Sequence, residues 1–144
     1  MPNAYIHKRK SLSSVTRDLA AVSKGRKAAD LYIRDGNLVN VNVGYIQEHM
    51  DVAVSNGFIA YVGRNGRILT DDHTEIVDAA GRYLVPGFID GHMHVEGSMI
   101  DPRHFAKAVL PGGVTTICPD CHEIANVLGL RAVKLFHDVA QDMP

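Results

Sequence analysis

The feature that most limits the fold is the run YLVPGFIDGHMHV at residues 83–95, which is mostly apolar and alternates only at its end. Strands buried on both faces show this pattern, and such strands are typical of parallel sheets. A helix start follows at Asp101-Pro102, because aspartate caps a helix and proline suits its first position. Pro111-Gly112-Gly113 ends that helix, and VTTIC then indicates a second buried strand.

A further helix is predicted after CPDCHEIAN, running to the end of the chain, with one apolar face formed by Leu130, Val133, Phe136 and Ala140. Strands that alternate with helices predict parallel βα units, in a doubly wound sheet or in a barrel. A (β/α)₈ barrel takes about 250 residues, so two such units make only part of a domain. We therefore expect the 144 residues to be the amino-terminal part of a longer protein: a truncated product, a split subunit or an incomplete reading frame.

Residues 30–83 have a different pattern, with short β-rich runs separated by turn signals. Asp35-Gly36, Asn56-Gly57 and Asn65-Gly66 supply the dipeptides that tight hairpins prefer. The pattern predicts a small antiparallel unit of four or more strands.

Residues 1–29 are expected to form a basic arm and a helix over 11–27, capped by Ser13 or Ser14 and ended by Gly25. A basic arm can bind nucleic acid or an acidic membrane, but no aromatic residues are interleaved for base stacking, so we favour a solvated arm. No apolar run is long enough for a membrane span and no secretion signal is recognisable, so a cytoplasmic protein without nucleic-acid or membrane partners is expected.

His92-Met93-His94 is the strongest candidate for a metal site. Residues i and i+2 of a strand point to the same side, and two neighbouring imidazoles can bind one ion. The pair comes at the carboxyl end of a predicted buried strand, which is where parallel α/β folds carry their active sites. Sequence and position together favour a pair of ligands over an ordinary buried pair.

CPDCHE at residues 118–123 is ambiguous when read alone. It fits a c-type haem attachment, a redox dithiol or half of a zinc site. Haem attachment requires export, a zinc site requires a second pair of ligands, and a redox dithiol requires a thioredoxin-like context. We therefore interpret Cys118 and Cys121 as incidental thiols.

Three segments carry a family resemblance: LVPGFIDGHMHVEGSM, FAKAVLPGGVTTI and DCHEIANVLGL. They resemble the first two barrel units of the adenine deaminases in the metal-dependent amidohydrolase superfamily, and the preceding KAADLYIRDGNLVNV resembles the accompanying β-sandwich. The resemblance covers roughly residues 24–137. It implies an α/β plus β fold with three regions: the arm at 1–29, a β-sandwich-type domain at 30–83, and the start of a truncated TIM-like hydrolase barrel at 84–144.

The resemblance also implies roles for particular residues. His92 and His94 match the two histidines that bind the first metal ion. The family segment Asp-Pro-His-Glu at the mouth of the site is matched by Asp120, His122 and Glu123, which become catalytic candidates without individual roles. Cys121 replaces the proline of that segment, and Gly97 interrupts the serines that follow the family's glutamate. The candidates for substrate binding are Glu96 and Ser98.

The implied reaction is hydrolysis of adenine to hypoxanthine and ammonia. It depends on a divalent metal (Mn, Fe or Zn), and the resemblance implies a binuclear metal centre in the complete enzyme. The implied partners are a purine substrate and, at full length, further copies of the chain. The isolated chain is expected to be inactive, because the remaining ligands come from later strands. Two alternatives stay open: another amidohydrolase such as a dihydroorotase-like cyclic amidase, and a non-catalytic remnant.

Overall fold

The computed structural model describes residues 10–64, 66, 68–141 and 143. These residues form two compact units, one up to residue 86 and the other from residue 87 onward. No helix among the described residues is long and apolar enough to cross a membrane. The first nine residues of the predicted arm at 1–29 lie outside the described part of the chain.

The first unit contains one helix and one five-stranded sheet. Helix α1 spans Leu12–Ser23, and Gly25 follows it with a φ of 63°. Ser11 is the N-cap, so the helix begins before the predicted caps at Ser13 or Ser14. The strands are β1 (Leu31–Asn40), β2 (Tyr45–Ser55), β3 (Phe58–Gly63), β4 (Glu75–Asp78) and β5 (Tyr83–Leu84).

The core of this unit lies where α1 packs against β2 and β3. Val22, Ala29 and Ala53 are buried at its centre, and Tyr32, Ala60, Tyr61 and Ile68 surround them. Complete burial of one side chain of the size of Val22 stabilises a fold by about 1.5–3 kcal/mol. The apolar face of the helix therefore packs on the part of β2 in which four successive residues, Met50 to Ala53, are buried.

Asp35-Gly36 is not the predicted hairpin turn; it is an irregularity inside β1. The register of β1 against β2 shifts on both sides of Gly36, and Asp35 has a φ of 56°. A side chain at Gly36 would overlap Leu84 of β5, which explains why glycine is required there. The prediction was wrong because a bulge and a tight turn call for the same residues. Asn56-Gly57 does form the predicted hairpin, with φ values of 53° and 75°, whereas Asn65 lies outside the described residues.

The sheet is mixed, which corrects the prediction of an antiparallel unit. β1 to β3 are antiparallel neighbours, but β4 and β5 both run parallel to β1. The connection from β3 to β4 is long enough to bring the chain back in the same direction as β1. Local turn signals cannot report such a crossover.

A partly buried hydrogen bond in this sheet gives the first testable prediction. The Tyr32 hydroxyl donates to Asp51 Oδ2 (2.9 Å), and Asp51 is only 8% exposed. Burial and this bond raise the pKa of Tyr32 from 10.0 to about 12. Because the folded pKa exceeds the unfolded one, the stabilisation is complete below pH 10 and is lost as the pH rises toward 12. Ultraviolet titration should show one late phenol ionisation that Tyr32→Phe removes; simultaneous titration of all tyrosines would contradict it.

The second unit has the predicted order of parallel strands and helices. It contains β6 (Phe88–Met93), α2 (Pro102–Val109), β7 (Val114–Pro119), α3 (His122–Leu128) and α4 (Leu130–Ala140). Short 3₁₀ turns span Glu96–Ser98 and Leu110–Gly112. β6 and β7 pair in parallel, and the Asp101 carboxylate caps α2 as predicted. This arrangement confirms the α/β class for this part of the chain.

Two predictions for the second unit need correction. Residues 83–95 form two strands, β5 and β6, because Pro86-Gly87 interrupts them, and β6 is largely exposed, with Ile89 at 69%. A two-stranded sheet with three helices has too little apolar surface to cover both faces. The predicted last helix corresponds to α4, which ends at Ala140, and an unpredicted helix, α3, precedes it from His122 and is separated from it at Gly129 (φ 62°). Val133, Phe136 and Ala140 line a groove with Ile117 of β7, but Leu130 is 86% exposed.

Gly87 lies immediately before β6 and gives the second prediction. A Cβ atom there would overlap the side chain of Thr115 on β7. Gly87→Ala should therefore separate the two strands and destabilise this unit by about 1–3 kcal/mol, as overpacking does. Gly91→Ala is the matched control, since no atom lies within 4 Å of a Cβ at that position of the same strand. Urea denaturation should distinguish the two variants; equal stabilities would contradict the predicted overlap.

Candidate metal centre

The carboxyl end of β6 presents two imidazoles. His92 and His94 lie two residues apart, and their ring centroids are 5.1 Å apart. The backbone N–H of His92 donates to Asp90 Oδ1 (3.1 Å), so Asp90 fixes the strand just before the histidines. The i, i+2 spacing thus brings both rings to one place.

The end of β7 lies beside the same place because the two strands are parallel. Met93 pairs with Pro119, and the N–H of Asp120 donates to the Met93 carbonyl oxygen (2.9 Å). This backbone contact places Asp120, and the first turn of α3 after it, next to the histidines of β6. The register between β6 and β7 therefore brings His92 and His94 close to Asp120, which is 26 or more positions away in the chain.

The orientation of His94 follows from one hydrogen bond. Its Nδ1 lies 2.8 Å from the main-chain carbonyl oxygen of Asp120. A carbonyl oxygen only accepts, so Nδ1 carries the hydrogen and Nε2 keeps a free lone pair. The bond raises the pKa of His94, and the charges of Asp120, Glu123 and Glu96 act in the same direction against desolvation. Histidines that bind metal through one nitrogen are commonly held through the other in this way.

The carboxylate of Asp120 lies between two further imidazoles. His122 Nδ1 is 3.0 Å from Asp120 Oδ2, and His92 Nε2 is 3.7 Å from the same oxygen. The hydrogen bond from His122 lowers the pKa of Asp120, and the charges of His122 and His94 contribute. Asp120 is therefore an ionised acceptor, and His122 is held through Nδ1 with its Nε2 free.

Two overlapping groups of side chains can hold a cation. The first consists of His92, His94 and Asp120, and the second of His94, His122 and Glu123. In each group the potential ligand atoms lie within 4.8 Å of one another. Two imidazoles with one carboxylate form a known ligand set for a catalytic zinc ion, and free Nε2 atoms suit it. The residues present therefore fit a divalent metal ion.

Glu96 and Ser98 lie in the 3₁₀ turn after β6. Glu96 Oε1 accepts a long hydrogen bond from the Ile124 N–H (3.4 Å), at the start of α3. Glu96 Oε2 is buried and has no hydrogen-bond partner among the described residues. The Ser98 hydroxyl donates to the Val95 carbonyl oxygen within its own turn. Glu96 thus contacts α3, whereas the Ser98 hydroxyl is hydrogen-bonded within its own turn.

The thiols take no part in either ligand group. Cys118 and Cys121 are free, Cys118 is exposed, and Cys121 is the N-cap of α3. Burial raises the pKa of Cys121, and the charges of Glu96 and Asp120 add to the effect. A protonated thiol is a poor ligand and a poor nucleophile. This agrees with the interpretation of the cysteines as incidental.

The second unit of the fold also has recognisable relatives. Residues 83–144 match the amidohydrolase family. The matched segment, residues 83–144, contains both strands of the second unit and all five members of the two ligand groups. Over 63% of the chain, the structure is similar to N-acyl-D-glutamate deacylase from Bordetella bronchiseptica, solved with zinc and a phosphonate inhibitor, with a TM-score of 0.51 and 25% identity; 18% of that chain is covered.

Similarity to known sequences also extends to residues before position 83. The chain is 51% identical over 132 residues to adenine deaminase 3 of Rhizobium meliloti (strain 1021), and 50% identical over 136 residues to the adenine deaminase of Moorella thermoacetica. These matches cover 92% and 94% of this chain. The chain spans 22% of the length of each of these two relatives. The sequence is thus adenine-deaminase-like over almost all of its length.

Sequence reasoning missed the part that the Asp120 backbone plays. Its carbonyl oxygen orients His94 and its N–H joins the two strands. Any residue carries these groups, so no residue type could indicate them. The spacing Asp120-x-His122 was a usable signal for the carboxylate–imidazole pair, since it places both side chains at the start of α3.

Proposed function

We propose that this chain supplies the first metal ligands of an adenine deaminase that converts adenine and water to hypoxanthine and ammonia. The observation that carries the proposal is the cluster of His92, His94 and Asp120 at the adjoining ends of two parallel strands. It occurs in the segment that matches the amidohydrolase family, in a chain about half identical to proteins named adenine deaminase. Because the chain spans about a fifth of those relatives, the reaction belongs to the proposal.

His92 and His94, with Asp120 beside them, would hold a divalent ion, taken to be Mn, Fe or Zn and one of two in the whole enzyme. Such an ion acts as a Lewis acid and makes water a better nucleophile near neutral pH. Zinc is supported by its presence in the structurally similar deacylase. The imidazole and carboxylate donors equally suit manganese and iron.

The other residues of the cluster would position groups and carry protons. Asp120 keeps His94 and His122 oriented through its carbonyl and its carboxylate. Glu123 is exposed beside them and can accept or return a proton during attack on the purine ring and loss of ammonia. Glu96, whose buried Oε2 has no described partner, would have to be uncovered to accept a hydrogen bond from the amino group of adenine. Ser98 would have to turn from the Val95 carbonyl to bind substrate.

The rest of the architecture is proposed on the same basis. β6, α2, β7 and α3 would be the first two units of a (β/α)₈ barrel, and residues 30–83 would belong to a separate β-sandwich-type domain. The ligand cluster then lies at the carboxyl ends of the strands, where barrel enzymes carry their active sites. Assembly into homo-oligomers and a cytoplasmic location are parts of the same proposal.

The test is ammonia release from adenine by the natural gene product that contains these 144 residues, supplied in turn with Mn²⁺, Fe²⁺ and Zn²⁺. We expect turnover with at least one ion and loss of turnover after chelation. If the gene product binds the ion but does not deaminate adenine, the assignment of adenine as the substrate is wrong. If it then opened a cyclic amide such as dihydroorotate, the amidohydrolase assignment would stand with a different substrate.

A further inference from the structure

The two ligand groups share one residue, and the shared residue limits the number of ions that the cluster can bind at one time. His94 belongs to both groups, but its Nδ1 is engaged by the Asp120 carbonyl oxygen. Only Nε2 is left to bind a metal ion. One imidazole nitrogen binds one ion, so the two groups cannot be filled at the same time.

The second group is as well prepared as the first. His122 is held through Nδ1 by the Asp120 carboxylate, and its ring centroid lies 4.7 Å from that of His94 in an edge-to-face arrangement. Glu123 lies beside them, with a potential ligand atom within 4.8 Å of those of His94 and His122. His94 Nε2, His122 Nε2 and a Glu123 oxygen provide a complete set of two imidazoles and one carboxylate.

We propose that His94, His122 and Glu123 form a second divalent-cation position, alternative to the one at His92, His94 and Asp120. The ion keeps His94 and exchanges the pair His92 and Asp120 for the pair His122 and Glu123. The inference rests on the proposed metal-dependent function, but it concerns cation binding alone. It holds for any divalent ion that accepts imidazole and carboxylate ligands.

Two mutually exclusive cation positions and one joint site predict different metal affinities for the single histidine variants. If two positions exclude each other, the wild-type association constant is the sum of the two separate constants. His92→Ala leaves only the second position, and His122→Ala leaves only the first. If one ion were instead bound by all the imidazoles together, each single variant would lose a ligand of the same ion.

The experiment is a Co²⁺ titration of the chain, followed by its visible absorption, with Zn²⁺ competition to obtain affinities. We expect one ion per wild-type chain. The association constants of His92→Ala and His122→Ala should sum to the wild-type value within about threefold, and the double variant should bind at least ~100-fold more weakly than the tighter single variant. His73→Ala, in the other unit, is the control, and far-ultraviolet circular dichroism verifies folding.

Three results would overturn the proposal. The first is binding of two ions at once by the wild-type chain. The second is a sum of the two single-variant constants more than tenfold below the wild-type constant, which indicates one joint site. The third is no further loss when His122→Ala is added to His92→Ala, in which case His122 is not a ligand. The conservative variants His92→Gln and His122→Gln repeat the comparison if an alanine variant fails to fold. Catalytic inactivity toward adenine leaves all of these readouts unchanged.

Discussion

His94→Ala is expected to cause the largest loss of metal binding of any single substitution in this chain. His94 is common to both ligand groups, whereas His92 and His122 each belong to one. Its removal should therefore lower the affinity for Zn²⁺ or Mn²⁺ by on the order of 100-fold or more, and more than either of the other histidine substitutions. In the natural gene product that contains the chain, ammonia release from adenine should fall with the bound metal.

The measurement is metal content after equilibrium dialysis, together with initial rates at saturating metal. His104→Ala is the control, because His104 is another exposed histidine of the same unit, paired with Asp101 at the start of α2. It should keep both metal and activity. If His94→Ala bound metal as tightly as the wild type, neither ligand group would describe the site. If it lost metal but kept activity, the proposed function would fail.

The candidate site could be predicted in part because some of its geometry is local. His92 and His94 lie together through the two-residue period of a strand, which holds wherever the strand packs. The Asp101-Pro102 helix start is equally local and is confirmed. The contact of Asp120 with His94, by contrast, depends on the pairing of Met93 with Pro119, residues 26 positions apart. Register between strands is a tertiary property, and only the family resemblance indicated that these residues belong to one site.

The errors in the fold have the same origin. Asp35-Gly36 has the composition of a turn, but packing with Leu84 makes it a bulge within a continuous strand. The alternation of apolar and polar residues within a single strand does not indicate that β4 and β5 pair in parallel with β1. The helix predicted after CPDCHEIAN is α4, whereas α3 was missed because its seven residues are too few for apolar periodicity to indicate a helix. In the first two cases, contacts between residues distant in sequence decided between locally equivalent conformations.

Substitution of Asp120 should separate its two means of orienting imidazoles. The carbonyl that holds His94 is part of the backbone and survives any side-chain change, whereas the carboxylate that holds His122 and faces His92 does not. Asp120→Asn keeps an oxygen acceptor for His122 but removes the charge, and should weaken Zn²⁺ binding by about 10-fold. Asp120→Ala removes both, and should weaken it by about 100-fold.

The decisive readout is the tautomer of each histidine, measured by long-range ¹H–¹⁵N correlation in the metal-free protein. His94 should keep its hydrogen on Nδ1 in both variants, because its partner is the main chain. His122 should lose that preference in Asp120→Ala, where its only described hydrogen-bond partner is gone. Asp138→Asn, which removes an exposed carboxylate paired with Lys134 on α4, is the control for a general loss of negative charge. If Asp120→Ala binds Zn²⁺ with wild-type affinity, the carboxylate neither binds the ion nor orients a ligand. If the tautomer of His94 changes in this variant, the Asp120 side chain and not its carbonyl sets the orientation of His94.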